Sequence, residues 1–318
     1  MENLQNFEIK NRKIDEAARE AVEKQPGLLD GDINFSWSNW GFGQEDLYES
    51  ARRLKEAGID YIELHGNRYG DDLGYEVREV RKALDEFDLE VSGICGMFSP
   101  SSELASSQGE IRQEAINYLK RNIELGHELD AEYLLIVPAA VGRSEPMDEY
   151  EIDRSIETLE KVADELESAG IKGAIEPIRS AETSIVHTFA EAEEYIERLD
   201  HPAVQWINGD VYHMSQEESH IGETILEYGD RLVNLHLADT NRRALGKGML
   251  DLDTLLKALY AVGYSKGELY ATAEPLGPGG NPYPAMHGKP DKDRLDDLVN
   301  DTVSYFRTRE SAVKKELG

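Results

Sequence analysis

Cysteine is almost missing from this chain: Cys95 is the only one among 318 residues. A single thiol forms no internal disulfide and no cysteine-based zinc cluster, and it suits a reducing compartment. Long apolar runs are missing as well. No stretch approaches the ~20 apolar residues of a membrane-spanning helix, and the start, MENLQNFEIKNRK, carries charges where a secretory signal needs an apolar segment. A cytoplasmic protein with no membrane partner is therefore expected. Basic residues are scarce, 34 Lys and Arg against 64 Asp and Glu, for a formal net charge of −30. Nucleic-acid binding draws its affinity from Lys and Arg displacing counterions, so nucleic acid is excluded as a natural partner. No G-x-G-x-x-G follows the first candidate strand, which removes the main signal for a dinucleotide-binding sheet.

The acids that are present are spread through helices such as EIDRSIETLEKVADELESAG and RLDDLVNDTVSYF rather than gathered in a tail. Solvated acidic faces over a whole chain resemble those of halophilic proteins, in which high salt screens the self-repulsion.

The chain repeats one grammar: an amphipathic helix, a glycine or polar break, then a short β-branched and apolar strand. LYESARRLKEAGIDYIELHG is one instance, with Leu47, Ala51, Leu54 and Ala57 at helical spacing and Gly58 at the expected helix end. TLEKVADELESAGIKGAIEPI and LLKALYAVGYSKGELYATAEPL repeat it. Candidate strands fall near 32–37, 59–65, 89–95, 132–138, 172–177, 204–210, 231–237 and 267–274. Eight strand–helix units in one series predict a parallel (β/α)₈ TIM barrel, an α/β fold that commonly runs to roughly 250 residues. It is expected as a single domain over 31–318, including a last helix at about 293–315. Residues 1–30 form a helical extension, expected to cover the barrel's base or to pack on a partner subunit. The Pro- and Gly-rich stretch 275–294 reads as a loop and a candidate lid over the active face.

Alternate residues of a barrel strand point inward. On the seventh strand Val233, Leu235 and Leu237 form one face, which leaves Asn234 and His236 inward. By the same parity Glu176 ends the fifth strand, Asp210 the sixth and Glu274 the eighth. Four successive strands thus each finish on a metal-competent side chain: Glu176, Asp210, His236 and Glu274. Three carboxylates and an imidazole suit Mn²⁺, Mg²⁺ or Co²⁺ better than a thiolate-seeking metal. Without a cation, three inward acids would repel one another and resist ionisation.

AIEPIRSAET (174–183), GDVYHM (209–214), HLADTNRRALGKGMLD (236–251) and ATAEPLG (271–277) resemble, in order and spacing, the xylose-isomerase-like barrel superfamily. Within it they are most similar to the ketose 3-epimerases acting on D-tagatose, D-psicose or L-ribulose. The resemblance implies one divalent ion, most often Mn²⁺, held by Glu176, Asp210, His236 and Glu274, with Glu176 and Glu274 also the acid/base pair. It implies inversion of C3 of a small-molecule ketose through an enediolate that the metal stabilises as a Lewis acid. It places Glu182, His213 and Arg242 on the substrate's O1–O2 end, and it implies a homo-oligomer, dimer or tetramer. Plainer roles stand beside these: a loop acid for Glu182, a helix cap for His213, an ion pair with Asp239 or Asp210 for Arg242. Trp37 and Trp40 are candidates for an apolar pocket wall or for packing.

The chain departs from the family pattern at RSA (179–181), where Asn-Arg-aromatic is usual, and at Asp239, where Glu is commoner. An aldose–ketose isomerase of the hydroxypyruvate-isomerase kind or an inosose-type dehydratase would use the same barrel and ligands. A non-catalytic sugar-binding barrel is the non-enzymatic alternative.

Overall fold

A computed structural model describes residues 5–43, 45–66, 73–276 and 291–318. Its centre is a closed barrel of eight parallel strands in sequential order: β1 (Asn34–Ser38), β2 (Tyr61–His65), β3 (Glu90–Cys95), β4 (Tyr133–Ile136), β5 (Lys172–Ile175), β6 (Trp206–Asp210), β7 (Leu232–Leu237) and β8 (Tyr270–Ala273). Seven of the eight lie within the stretches expected from sequence, and β1 runs one residue past its stretch, to Ser38.

Around it stand α2 (Leu47–Glu56), α3 (Val77–Phe87), α4 (Gly109–Glu128), α5 (Glu151–Ala169), α6 (Phe189–Leu199), α7 (Val211–Glu217), α8 (Ile221–Tyr228), α9 (Leu252–Ala261) and a last helix, α10 (Lys292–Leu317). Their local causes are plain. Helix α5 buries Ile156, Leu159, Val162 and Leu166 on one stripe and stops at Gly170, whose φ of 73° is the left-handed turn that glycine accepts without strain. Helix α6 starts in a capping box, Thr188 accepting from the Glu191 amide while Glu191 accepts from the Thr188 amide. Among the described residues no helix is long and apolar enough to cross a membrane.

Two expectations are corrected. Of the two places expected for the N-terminal helix α1 (Asn6–Lys24), the barrel's base is not the one it takes: it packs along α9 and α8. Lys257 donates to Asp15 at 2.7 Å, Asn11 to Asp251 at 2.8 Å, and Ile14 fills the space that a Cβ on Gly222 would need. On β7 the strict alternation breaks near its start. Pairing steps from Ile207↔Leu232 to Asn208↔Asn234, which makes Val233 an extra residue. Leu232 and Leu235 both stand against Gly209 on the helix side, whereas Val233 packs with Tyr133, Ala174 and Tyr270 inside the barrel. The proposed lid falls largely on residues 277–290, outside the described residues.

The barrel interior is layered. Tyr133, Ala174, Val233 and Tyr270, with Tyr61 and Trp206 against them, make an apolar floor. Above it neutral polar groups pair with one another: Asn234 donates to Asn208 at 2.7 Å, Thr272 donates to Asn234 at 2.7 Å, and Ser36 meets Ser92 at 2.7 Å. The ionisable side chains come last, at the carboxyl ends of the strands, where barrel active sites are built.

Candidate active site

The ladder itself aims the four strand-end residues. Asp210 and His236 are register partners across β6 and β7. Glu176 and Glu274 lie one residue past their strands, and each is still held by the neighbouring strand: the Glu176 amide donates to Ile136 at 2.9 Å, the Glu274 amide to Leu237 at 2.8 Å. All four side chains are buried. Glu176, Asp210 and His236 bring ligand atoms within 4.8 Å of one another, and His236 with Glu274 falls in a second such group with Glu63 and Cys95. His236 Nδ1 lies 3.7 Å from Glu176 Oε1 and 3.6 Å from Glu274 Oε1. These separations exceed a good N–H···O hydrogen bond. Three carboxylates gathered around one imidazole are a donor set that fits an oxygen-preferring divalent cation.

The electrostatics agree with that fit. Burial pushes the Glu176 carboxyl well above the usual range, with Asp210 and Glu274 adding to it against the pull of His236. Burial likewise pushes Glu274 up to about 7, helped by Asp210 and opposed by His236 and Arg242. Burial works against charge on His236, but Glu63, Glu274 and Glu176 outweigh it and raise its pKa well above the ordinary histidine value. A divalent cation would balance the acids and displace a proton from the imidazole.

Each carboxylate of the pair has its own support. Trp40 Nε1 donates to Glu274 Oε1 at 2.5 Å and Arg242 to Glu274 Oε2 at 3.2 Å. Asn208 Nδ2 donates to Glu176 Oε1 at 3.0 Å. Asp210 is shared: its Oδ1 accepts from the Tyr212 amide and caps α7, while Oδ2 lies 3.4 Å from His213 Nε2 and 3.9 Å from Arg242.

The residues placed at the substrate's carbonyl end also reach the cavity. Its lining includes Glu182, His213, Arg242 and the four strand-end residues, with Trp40, Met97, Phe98, Val141 and Ile178 as an apolar wall. His213 is on the first turn of α7, but the cap is Asp210. Burial lowers the pKa of His213 below its ordinary value, favouring the neutral ring, and its Nδ1 has no partner among the described residues. Arg242 pairs with Glu274 at 3.2 Å and, as one of its plainer readings had it, with Asp210 at 3.9 Å, but not with Asp239; its Nε is likewise without a partner among the described residues. Glu182 is half committed already, because Arg179 from the RSA segment donates to it at 2.6 Å. The Arg179 and Arg242 guanidinium groups both lie over the Tyr212 ring, at 4.7 and 4.3 Å. Trp37 stacks on Phe42 in the core and takes no part in the lining.

Two contributors, Glu63 and Asn208, were not singled out from sequence, and a third, Asp239, was noted only as a departure from the family pattern and an ion-pair candidate for Arg242. Glu63 on β2 meets His236 Nε2; its signal was the inward parity of Tyr61, Glu63 and His65 in YIELH. Asn208 carries the same kind of signal. Asp239 organises the loop that bears Arg242: its Oδ1 accepts from the Thr240 and Leu250 amides at 2.8 and 3.0 Å and its Oδ2 from the Gly246 amide at 2.8 Å. A Cβ on Gly248 would strike the same carboxylate, which explains a glycine there. Arg242 sits at φ 56°, a left-handed conformation uncommon away from glycine and found at constrained functional loops. Its amide donates to Asp239 O at 2.7 Å and its carbonyl accepts from Leu276, tying the loops after β7 and β8 together.

A sequence profile described as xylose isomerase-like TIM barrel matches residues 51–276. A ketose 3-epimerase of Arthrobacter globiformis is 29% identical over 225 residues, which cover 70% of this chain and 76% of that protein. A 3-dehydro-D-guloside 4-epimerase of Escherichia coli strain K12 is 30% identical over 244 residues, covering 73% and 89%. Among solved structures, a D-allulose 3-epimerase from Methylomonas sp. in complex with D-allulose superposes with a TM-score of 0.76 at 19% identity, covering 88% of this chain and 98% of that one. The likeness of that structure speaks for the fold alone.

Proposed function

The chain belongs to the xylose isomerase-like TIM barrel family, and from that premise we propose that it is a sugar epimerase dependent on one divalent metal, inverting C3 of a ketose. The relatives named above share one chemistry: in a ketose C3 lies beside the C2 carbonyl, and in a 3-dehydro sugar C4 lies beside the C3 carbonyl. The observation that carries the reading is the convergence of two buried glutamates, Glu176 and Glu274, on one imidazole from separate strands.

Glu176, Asp210, His236 and Glu274 would hold the ion, with Mn²⁺ the first choice and Mg²⁺ or Co²⁺ the others. When bound, it supplies Lewis acidity that makes a proton beside a ketone easier to remove. The chain's own residues do the rest. One glutamate takes the proton and the other returns one from the opposite face; which acts first depends on the epimer that enters. A carboxyl raised toward neutrality can serve as either acid or base. The neutral His213 ring and the planar Arg242 fork are available to orient the carbonyl end, a geometry that Lys would not reproduce. The apolar wall from Trp40 to Ile178 keeps water from the reacting face.

Incubation with ketoses in D₂O tests this. Deuterium at C3 of a ketose is the expected result. Label at C4 of a 3-keto sugar would make it a 4-epimerase, and label at C1 or C2 an isomerase. No exchange with any sugar, with or without added Mn²⁺, would overturn the reading.

A further inference from the structure

If His236 offers Nδ1 to a cation, what holds the ring is found at its other nitrogen. Nε2 lies 3.1 and 3.0 Å from the two carboxylate oxygens of Glu63. Glu63 comes from β2, is fully buried, and is itself fixed: the Tyr133 hydroxyl donates to Oε2 at 2.7 Å and Asn234 lies 3.4 Å from the same oxygen. Asn234 in turn donates to Asn208, which donates to Glu176. One chain of hydrogen bonds therefore runs from behind the imidazole to a second strand-end carboxylate.

An ionised carboxylate only accepts hydrogen bonds, so the ring nitrogen against it carries the hydrogen. The other nitrogen then presents its lone pair. Nδ1 is beyond hydrogen-bonding distance of its own carboxylate neighbours, whereas Nε2 is well within it. The geometry points to Glu63 as a positioning residue, which fixes the His236 ring and its Nε2–H tautomer so that Nδ1 is preset for a divalent cation. The inference rests on the reading that the strand-end cluster binds such a cation. Partners of this kind behind a metal-ligating histidine are worth ~10–100-fold in metal affinity.

The test uses the full chain, stripped with chelator and titrated with Mn²⁺, with free Mn²⁺ read by electron paramagnetic resonance. Glu63→Gln is expected to weaken Mn²⁺ binding ~10–100-fold with an unchanged circular dichroism spectrum. Tyr133→Phe, which removes the donor to Glu63 and keeps the ring, is expected to weaken it less. Long-range ¹H–¹⁵N correlation of the Mg²⁺-loaded wild type should place the His236 hydrogen on Nε2. A folded Glu63→Gln variant with wild-type Mn²⁺ affinity overturns the inference, as does a hydrogen on Nδ1. Should Glu63→Gln not fold, wild-type affinity in Tyr133→Phe overturns it instead. Wild-type protein that takes up no Mn²⁺ brings down the metal reading together with this one, so the two failures are distinguishable.

Discussion

Two buried charge clusters of this barrel are built on opposite plans. Beside α2, the buried Arg53 spends every nitrogen: Nη1 and Nη2 on Glu45, the latter at 2.7 Å, and Nε on Asp296 at 2.6 Å, with its guanidinium over the Phe42 ring. One cation there joins the first βα loop, α2 and α10. At the barrel mouth Glu63, Glu176, Asp210 and Glu274 face one guanidinium and two imidazoles, His236 and the His213 ring that burial favours as neutral, and Arg242 leaves its Nε without a partner among the described residues. The first cluster is satisfied by the chain and holds architecture. Among the described residues the second is left in deficit of positive charge, the condition that raises carboxyl pKa values and that recurs at functional sites. Burial alone does not separate the two; the balance of partners does.

Breaking that contrast should show most strongly in chemistry. Glu176→Gln or Glu274→Gln is expected to lower proton exchange at the sugar by ~10²–10⁴-fold, read by isotope exchange. The melting temperature should not fall, because each change removes one acid from a crowded cluster. Arg53→Met should do the reverse. It leaves Glu45 buried without its cation at a cost of about 3–5 kcal/mol, visible in denaturant unfolding, while the exchange rate per folded molecule stays near wild type. Chelation should abolish exchange and Mn²⁺ restore it; a hundredfold excess over its dissociation constant should add about 2.7 kcal/mol to stability, with no comparable gain in a His236→Ala variant. The smallest effect belongs to the surface. With a net charge of −30, we propose that molar KCl raises the melting temperature above that in dilute buffer by screening self-repulsion; equal values would count against a halophilic surface.

The strand ends were readable because a barrel strand has a period of two. Glu176, Asp210, His236 and Glu274 follow from parity alone, and the helix–glycine–strand grammar set all eight strands. The same rule failed at Val233, where an extra residue near the start of β7 turned an expected outward side chain into the floor. Periodicity carries no signal for a bulge. Nor does it say which neighbour a helix chooses, so α1 was expected at the barrel's base or on a partner subunit and packs beside α9.

Local pattern, then, determined the fold class, the barrel's strand series and the inward direction of the four strand-end side chains, since alternation and helical spacing are properties of consecutive residues. Tertiary structure decided what meets them. Glu63 and His236 are 173 positions apart, Trp40 and Glu274 are 234 apart, and only closure of the barrel brings such pairs within reach. Closure also decided that Arg53 is neutralised by its own chain, whereas the acids of the mouth are not neutralised among the described residues.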